Sequence, residues 1–389
     1  MKARKLLMIP GPIEFEPEVM QAMSIPTTSH VAPDFVESFG HALDMMKEVW
    51  LSPSGQPFVV AGSGTLAMDM AAANLVEPGD QVLVVSTGYF GERYANLLER
   101  YTDQVDVLQA NRGEQVSPER IEEYLKEKNY KLLTFTHVDT STAVLMDPQP
   151  IGELGRKYGV LTVLDGVCSV AGEEIRQDEW GIDVAFTASQ KAIGVPPGLA
   201  LLMASPRAMD VWKNRRNLVA NYYADWDNWL PIMQAYANRR PAYFGTPPVN
   251  LILALETSLR IILAEGMEQR FNRHRKIGRA FRAAVKAAGL DMIPANEDSA
   301  ANTLSAPFYP DGVAAGDFLG AASAEGVILA GGLLADIKPR YFRVGHMGSA
   351  SRNDLLATVG AIESALQKNG WDLEPGICLK AAQQAYDAS

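Results

Sequence analysis

The stretch Val184-Ala185-Phe186-Thr187-Ala188-Ser189-Gln190-Lys191-Ala192-Ile193-Gly194 decides how this chain folds and what it can do. Its first four residues are almost entirely apolar and predict a buried strand. Lys191 follows that strand among small, uncharged residues. Lysine is rarely buried, so a surface lysine at a strand end is the ordinary interpretation. The functional alternative is a neutral amine that forms a Schiff base with a carbonyl, and the remaining motifs must decide between the two.

Length and composition indicate an ordinary globular protein of more than one domain. With 389 residues the chain exceeds the size at which a single hydrophobic core usually stops growing. A formal net charge of −11 argues against nucleic acid or an anionic membrane surface as the main partner. The two cysteines, Cys168 and Cys378, lie far apart and predict neither a disulfide framework nor a metal site.

The two ends of the chain carry no targeting signal that we recognise. The apolar run from Leu6 to Ile9 is too short for a signal peptide or a membrane span. The last three residues, Asp387-Ala388-Ser389, do not resemble a peroxisomal address. We therefore expect a cytoplasmic protein without a membrane partner.

The first half of the chain alternates short apolar strands with helices. The predicted strands cover 56–61, 82–85, 105–108, 132–136, 160–164, 184–187 and 199–204. Such a pattern is typical of an α/β fold with a mostly parallel sheet covered on both faces. Ligands of these sheets bind outside the carboxyl ends of the strands. The residues near those ends are Ser63, Gly64, Thr65, Phe90, Thr140, Asp165 and Lys191.

The pattern of the second half of the chain predicts a long connecting helix followed by a smaller domain. Residues 212–248 are rich in aromatic side chains, which we expect in the core or at a subunit interface. An amphipathic helix is predicted over 249–265, with Gly266 as its cap and as a hinge. We therefore divide the chain into a large domain with an N-terminal arm, 1–265, and a small C-terminal α+β domain, 266–389. In the helix that begins the second domain, Phe271, Ile277 and Phe281 keep helical spacing, and arginine and lysine residues occupy the remaining positions. We expect this basic face to be solvated.

The segment Gly62-Ser63-Gly64-Thr65-Leu66-Ala67 fits the G-x-G-x-x-A form of the dinucleotide-binding fingerprint. That fingerprint also requires an acidic residue at the end of the following strand, where this chain has Ser86-Thr87-Gly88. The indication for NAD is therefore weak. Glycines at the N-terminus of a helix still suit any phosphate, because the free backbone amides there donate to its oxygens.

Asp165 and Arg343 each have a structural and a functional interpretation. Asp165 at a strand end is a turn residue on general preference, but such a carboxylate can also keep a pyridine nitrogen protonated. The 25 residues between Asp165 and Lys191 leave room for one connection and one strand, so both can reach the same cleft. Arg343 lies among apolar neighbours and needs a partner, either a structural carboxylate or that of a substrate. Phe90 fits a cofactor-stacking position or the core equally well.

Seven ordered motifs together resemble the class V aminotransferases of fold-type I, enzymes that depend on pyridoxal 5'-phosphate. The similarity is greatest to the alanine–glyoxylate (serine–pyruvate) aminotransferases of microbial and fungal type. The motifs are Pro10-Gly11-Pro12, residues 61–65, 137–144, 165–167 and 189–192, Tyr243-Phe244-Gly245-Thr246-Pro247-Pro248, and residues 342–345.

The resemblance implies a role for each matching residue. Lys191 and Asp165 would be catalytic, Lys191 as the Schiff-base lysine and Asp165 as the partner of the pyridine nitrogen. Phe90 would stack on the cofactor ring, which Thr140 and Val167 would flank. The phosphate would be bound by Ser63, Gly64, Thr65 and Gln190 and, from the neighbouring subunit of a homodimer, by Tyr243 and Thr246. Arg343 would bind the substrate carboxylate, with help from the backbone near Gly11.

Three positions depart from the animal members of that family. Thr65 stands where histidine is familiar, Phe90 where tryptophan is, and Thr140 where serine is. Each substitute can perform the same physical task, but the departures weaken any transfer of fine substrate preference.

The expected reaction is transfer of the amino group of alanine or serine to glyoxylate or pyruvate. We see no second substrate-facing arginine, which favours small uncharged side chains. Ureidoglycine–glyoxylate and phosphonate-linked transamination remain open. A cysteine desulfurase is less favoured, because its reactive thiol would have to be the poorly placed Cys378. A NAD-dependent dehydrogenase and a non-catalytic interaction protein are the alternatives from other classes.

Overall fold

The computed structural model describes residues 4–388, so Ser389 of the C-terminal tripeptide lies outside the described residues. The strands are β1 Leu6–Leu7, β2 Gln56–Ala61, β3 Val82–Ser86, β4 Val105–Gln109, β5 Leu132–Thr136, β6 Leu161–Asp165, β7 Val184–Ala188, β8 Leu199–Ala204, β9 Leu304–Ser305, β10 Val327–Ile328, β11 Ala330–Gly331 and β12 Phe342–Gly345. The helices are α1 Pro17–Ser24, α2 Pro33–Val49, α3 Gly64–Leu75, α4 Tyr89–Leu98, α5 Pro118–Glu127, α6 Pro148–Tyr158, α7 Gln177–Trp180, α8 Pro206–Lys213, α9 Trp226–Ala237, α10 Val249–Glu265, α11 Met267–Ala287, α12 Ala315–Ala324, α13 Arg352–Lys368 and α14 Ile377–Asp387. Among residues 4–388, no helix has the length and apolar character needed to cross a bilayer.

A seven-stranded sheet forms the centre of the molecule, in the order β2-β8-β7-β6-β5-β3-β4. Strand β8 runs antiparallel to both of its neighbours, and the other adjacent pairs are parallel. Every residue of β3, β5, β6, β7 and β8 is buried, as expected for strands covered by helices on both faces. The prediction of a mostly parallel, doubly covered sheet is confirmed.

The register of the sheet aligns the strand ends that carry polar residues. Thr136 at the end of β5 pairs with Asp165 at the end of β6, which in turn pairs with Phe186 on β7. Helices α3 and α4 begin immediately beyond the ends of β2 and β3. The carboxyl edge of the sheet is therefore the place where the predicted site residues can meet.

Two helix boundaries show clear caps, and the predicted end of α10 is confirmed. The Ser117 side chain accepts a hydrogen bond from the Arg120 amide, with proline at the first turn of α5. Helix α10 ends at Glu265, and Gly266 follows at a φ of +85°, a conformation that favours glycine. The sequence analysis did not predict α1, α2, α7, α8, α9 or α14. Of the aromatic residues in 212–248, Trp226, Trp229 and Tyr236 are buried in the core, whereas Tyr222, Tyr223 and Tyr243 are exposed, so the core expectation holds for part of that segment.

Two small sheets accompany the central one. Strands β11, β12 and β9 form an antiparallel sheet, and β1 pairs in parallel with β10, with Leu6 opposite Val327. A second apolar cluster lies here, built around Phe281, Phe318 and Phe342. The N-terminal arm that we assigned to the large domain thus pairs with a strand of the C-terminal part. The boundary between residues 265 and 266 stays a prediction.

The expectation of a solvated basic face on α11 is wrong for several of its arginines. Arg270 is 5% exposed and donates to the carbonyl oxygens of Ala171 and Ala192, at 2.7 and 2.8 Å. Arg282 is equally buried and donates to the Ala301 carbonyl at 3.0 Å. These arginines connect α11 to loops from both parts of the chain. Periodicity separates apolar from charged positions, but it does not identify the carbonyl groups that such charges reach.

Candidate active site

Nine of the predicted cofactor residues line one cavity of about 220 Å³ at the carboxyl edge of the sheet. They are Ser63, Gly64, Thr65, Phe90, Thr140, Asp165, Val167, Gln190 and Lys191. Two further residues line the same cavity, Met68 from α3 and Arg93 from α4, and the sequence analysis missed both. Five separate segments of the chain converge on this space because the sheet aligns their starting points.

Lys191 is buried, with 9% of its surface exposed, so the interpretation as a surface lysine is wrong. Its Nζ atom donates to the Pro10 carbonyl oxygen and lies 3.6 Å from Cys168 Sγ. Gly11 has a φ of +109°, and a Cβ atom there would stand 2.7 Å from Lys191 Nζ. Glycine is therefore required at position 11 by both its conformation and the closeness of the lysine.

Asp165 has the hydrogen bond of a turn residue and keeps its other oxygen free within the described part of the chain. Its Oδ1 atom accepts a hydrogen bond from the Val167 amide at 3.0 Å, which is the bond of a turn residue. Its Oδ2 atom has no hydrogen-bond partner among residues 4–388, although the residue is only 2% exposed. Burial raises the pKa of this carboxyl group to about 7. A buried carboxylate with one free oxygen beside a cavity fits the protonated nitrogen of a pyridine ring, which would supply the missing donor.

The start of α3 fits a phosphate group. Ser63 occupies the N-cap, but its side chain makes no capping bond, and the first turn contains no acidic residue. Within the described chain, the amides of Gly64 and Thr65 have no acceptor, whereas those of Leu66 and Ala67 donate to the Ser63 carbonyl. Free amides at a helix N-terminus attract anions. The arrangement therefore supports the phosphate interpretation of the glycine motif.

Asp139 positions Phe90 and was missed as a functional residue. Its Oδ2 atom accepts from the Phe90 amide at 2.9 Å, and its Oδ1 atom accepts from the Ser141 hydroxyl at 2.6 Å. Asp139 is fully buried, and burial raises the pKa of its carboxyl group. This residue ties the loop after β5 to the first turn of α4. A strand-end aspartate followed closely by threonine and serine is the sequence signal that could have indicated the role.

Arg343 lies beside the cavity without lining it. Its Nε atom donates to the Gly331 carbonyl at 2.9 Å, and its Nη1 atom donates to the Thr140 carbonyl at 3.2 Å. No carboxylate within residues 4–388 pairs with it, so the structural salt bridge is wrong for this part of the chain. Burial lowers the pKa of the guanidinium from its ordinary value. A half-buried arginine held only by carbonyl groups retains donors for a carboxylate.

Tyr243 and Thr246 lie outside the cavity of their own subunit. The Tyr243 side chain is 64% exposed, and its hydroxyl lies 3.5 Å from the Thr246 hydroxyl, which is also exposed. The single chain therefore does not bring these two residues to the other predicted site residues.

Cys378 is poorly suited to be a reactive thiol. It lies on α14, is 2% exposed, and burial raises the pKa of its thiol to about 12. Reactive cysteines need a thiolate and access to solvent, and Cys378 has neither. Among the described residues, no group of three or more histidine, cysteine, aspartate or glutamate side chains could hold a metal ion.

Comparison with known proteins identifies the family. The family model described as "Aminotransferase class-V" matches residues 21–345. Alanine–glyoxylate aminotransferase 1 of Saccharomyces cerevisiae is 40% identical over 370 residues, covering 91% of this chain and 95% of that protein. L-aspartate–glyoxylate aminotransferase of Paracoccus denitrificans is 32% identical over 391 residues, covering 99% and 97%.

A solved structure supports the same family assignment as the two relatives. The crystal structure of alanine–glyoxylate aminotransferase from Nostoc sp. superimposes with a TM-score of 0.88 at 32% identity, covering 94% of this chain and 96% of that one. The chain therefore belongs to the class-V aminotransferases, which confirms the predicted family, the fold-type I architecture and the dependence on pyridoxal phosphate.

Proposed function

We propose that this aminotransferase moves the amino group of a small amino acid, alanine or serine, to glyoxylate, with pyruvate as a second acceptor. The observation that carries the proposal is the convergence of three groups around one cavity. These are a buried lysine, a buried carboxylate with a free oxygen, and an arginine without a carboxylate partner.

The cofactor would be held from both ends. The donors at the start of α3, together with Gln190, would bind its phosphate, and Asp165 would accept from its ring nitrogen. Phe90, Thr140 and Val167 would fix the plane of the ring. When bound, pyridoxal phosphate supplies the carbonyl carbon that takes the amino group and a ring that accepts electrons from the Cα–H bond.

Lys191 would move the proton. Its amine reaches the cavity, and the Pro10 carbonyl beside it accepts a hydrogen bond and so orients the lone pair. A neutral amine in that position can take the Cα proton of the donor and return it to the former carbonyl carbon of the cofactor, two bonds away. Lys191 is 9% exposed, so little of its surface is open to bulk water.

Arg343 would orient the substrate. A bidentate guanidinium–carboxylate pair fixes the Cα–H bond relative to Lys191, with the backbone near Gly11 closing the other side. The 40% identical yeast relative, named for alanine and glyoxylate, supports a small uncharged donor. The Paracoccus relative is named for aspartate, so aspartate belongs in any test of the donor. Ureidoglycine and phosphonate-bearing amines are the other donors to compare.

The functional unit would be a homodimer with shared active sites. Tyr243 and Thr246 present their hydroxyl groups to solvent, where a second copy could receive them. In that arrangement each subunit completes the phosphate site of its neighbour. The division of the chain at residues 265 and 266 and the cytoplasmic location remain predictions alongside it.

The test is the visible spectrum of the purified protein, followed by titration with alanine, serine, aspartate and ureidoglycine. The preferred donor should bleach the cofactor band at the lowest concentration, and glyoxylate should restore that band. Lys191→Ala should abolish turnover and the lysine-bound band, whereas Lys213→Ala, an exposed lysine on α8, should leave both unchanged. Turnover retained by Lys191→Ala would refute the assignment. Bleaching by aspartate alone would refute the proposed donor class.

A further inference from the structure

Arg93 is a cation in the cavity that the roles described above do not use. It lies on α4 one turn beyond Phe90, on the same face of the helix, and it is half-buried. Among residues 4–388 it forms no ion pair with a carboxylate. Its side chain makes one hydrogen bond, from Nη2 to Thr65 Oγ1 at 2.9 Å.

That bond determines what Thr65 can do. Because the guanidinium donates to the hydroxyl oxygen, the hydroxyl hydrogen remains free to donate elsewhere. The amides of Gly64 and Thr65 and the Ser63 hydroxyl are unused donors on the same helix turn. This corner of the cavity thus combines several donors with a positive charge and has no carboxylate of its own. Such a set matches an anion with several oxygen atoms.

We propose that Arg93 is a positioning residue for the cofactor phosphate, acting through Thr65 and through its own charge. The inference rests on the proposed cofactor site and adds to it the group that distinguishes a phosphorylated cofactor from an unphosphorylated one. Thr65, which departs from the histidine familiar in animal relatives, then works as one half of a pair with Arg93.

The charge of Arg93 has two competing uses. It acts electrostatically on Asp165, which lines the same cavity, although the two side chains form no ion pair. A dicarboxylic donor such as aspartate carries a second carboxylate that a cavity arginine could bind. The contact with Thr65 favours the phosphate, because Thr65 belongs to the helix turn with the free amides. An arginine that served the substrate would affect aspartate turnover without changing the affinity for the cofactor.

The experiment measures the binding of pyridoxal phosphate and of pyridoxal, which lacks the phosphate, to the cofactor-free protein by absorbance. Arg93→Gln should lower the affinity for pyridoxal phosphate roughly 10- to 100-fold, which is the effect of losing a charge-assisted contact. The affinity for pyridoxal should not change. Arg93→Lys should restore part of the loss. Arg100→Gln, an exposed arginine just after α4, removes the same charge and should change neither affinity.

Three results would overturn the inference. The first is an equal loss of affinity for pyridoxal phosphate and for pyridoxal in Arg93→Gln. The second is an unchanged affinity for both. The third is a selective loss of aspartate turnover at unchanged pyridoxal phosphate affinity. If Arg93→Gln does not fold, Thr65→Val should still lower the affinity for pyridoxal phosphate more than the affinity for pyridoxal. An equal effect of Thr65→Val on both compounds would also overturn the inference. Failure of the wild-type protein to bind pyridoxal phosphate would instead refute the cofactor site itself.

Discussion

Replacing Asp165 by asparagine tests the central feature of the cavity, a carboxyl group buried without a second hydrogen-bond partner. Burial raises the pKa of this group to about 7 in the folded, cofactor-free protein. In an unfolded chain an aspartate titrates near 3.9. The folded state therefore holds the proton of Asp165 more tightly than the unfolded state does. Asparagine keeps the acceptor for the Val167 amide but does not titrate.

The sign of the effect follows from proton binding. Between the two pKa values the unfolded state has lost its proton and the folded state has kept it, so the free energy of unfolding falls as pH rises. The full difference of about 3 pKa units corresponds to about 4 kcal/mol. Between pH 5 and pH 8 the loss assigned to Asp165 is about 3 kcal/mol, because part of the titration lies below pH 5.

Urea unfolding of the cofactor-free protein measures this loss. Wild type and Asp165→Asn are compared at pH 5, 6, 7 and 8 and at one protein concentration, since association affects stability. The free energy of the wild type should fall relative to the variant as pH rises. Asp103→Asn, at an exposed position, should follow the wild type. Pyridoxal phosphate should remove the difference in slope, because a protonated ring nitrogen stabilises the Asp165 carboxylate.

Parallel pH profiles of wild type and Asp165→Asn would refute this reasoning. They would mean that Asp165 titrates at its ordinary pKa, so that solvent or another group satisfies its free oxygen. If the free energy of unfolding of the wild type instead rose with pH relative to the variant, a cation would already lie against Asp165 in the absence of cofactor. Either result would remove the physical argument for assigning Asp165 to a ring nitrogen.

Three further substitutions test Gly11 beside the lysine, Asp139 in the loop after β5, and Cys378 on α14. Gly11→Ala should lower kcat/KM by about tenfold or more, because the alanine would add backbone strain of roughly 1–3 kcal/mol and would also clash with Lys191. Gly79→Ala is the control for backbone strain alone, because Gly79 has a φ of +85° and no atom lies within 4 Å of a Cβ placed there. Asp139→Asn should lower the free energy of unfolding by roughly 1–3 kcal/mol in urea titrations and weaken cofactor binding, since it loses charge-assisted bonds to the first turn of α4. Cys378→Ser should leave transaminase turnover unchanged, and a loss of turnover at unchanged stability would reopen the desulfurase alternative.

The predicted site residues that line the cavity share one property, which is their position at or just beyond a strand end. Asp165 and Ser63 could be found in this way because a parallel sheet gathers its carboxyl ends at one edge. Arg93 does not share that property. It lies inside α4 next to Glu92, where it has the appearance of an ordinary surface position. Only its contact with Thr65, 28 residues earlier in the chain, places it in the cavity.

Residues on α11 were misinterpreted for a related reason. The spacing of Phe271, Ile277 and Phe281 correctly predicted an amphipathic helix, and all three are buried. The same pattern assigned Arg270 and Arg282 to solvent. Besides the carboxylates of Glu265 and Glu297, both side chains donate to backbone carbonyl groups in distant loops. Carbonyl acceptors are present at every residue, so their use by a particular arginine leaves no trace in the amino-acid pattern.

The N-terminal arm connects the small sheet to the catalytic lysine. Strand β1 pairs with β10, and the Met8 carbonyl accepts from the Gly345 amide, two residues beyond Arg343. A few residues later, the Pro10 carbonyl accepts from Lys191 Nζ, and the Ile13 amide donates to the Gln190 carbonyl. The arm is too short to absorb a displacement between these contacts. A movement of the small sheet against the central one must therefore act on Lys191 and on Arg343 together.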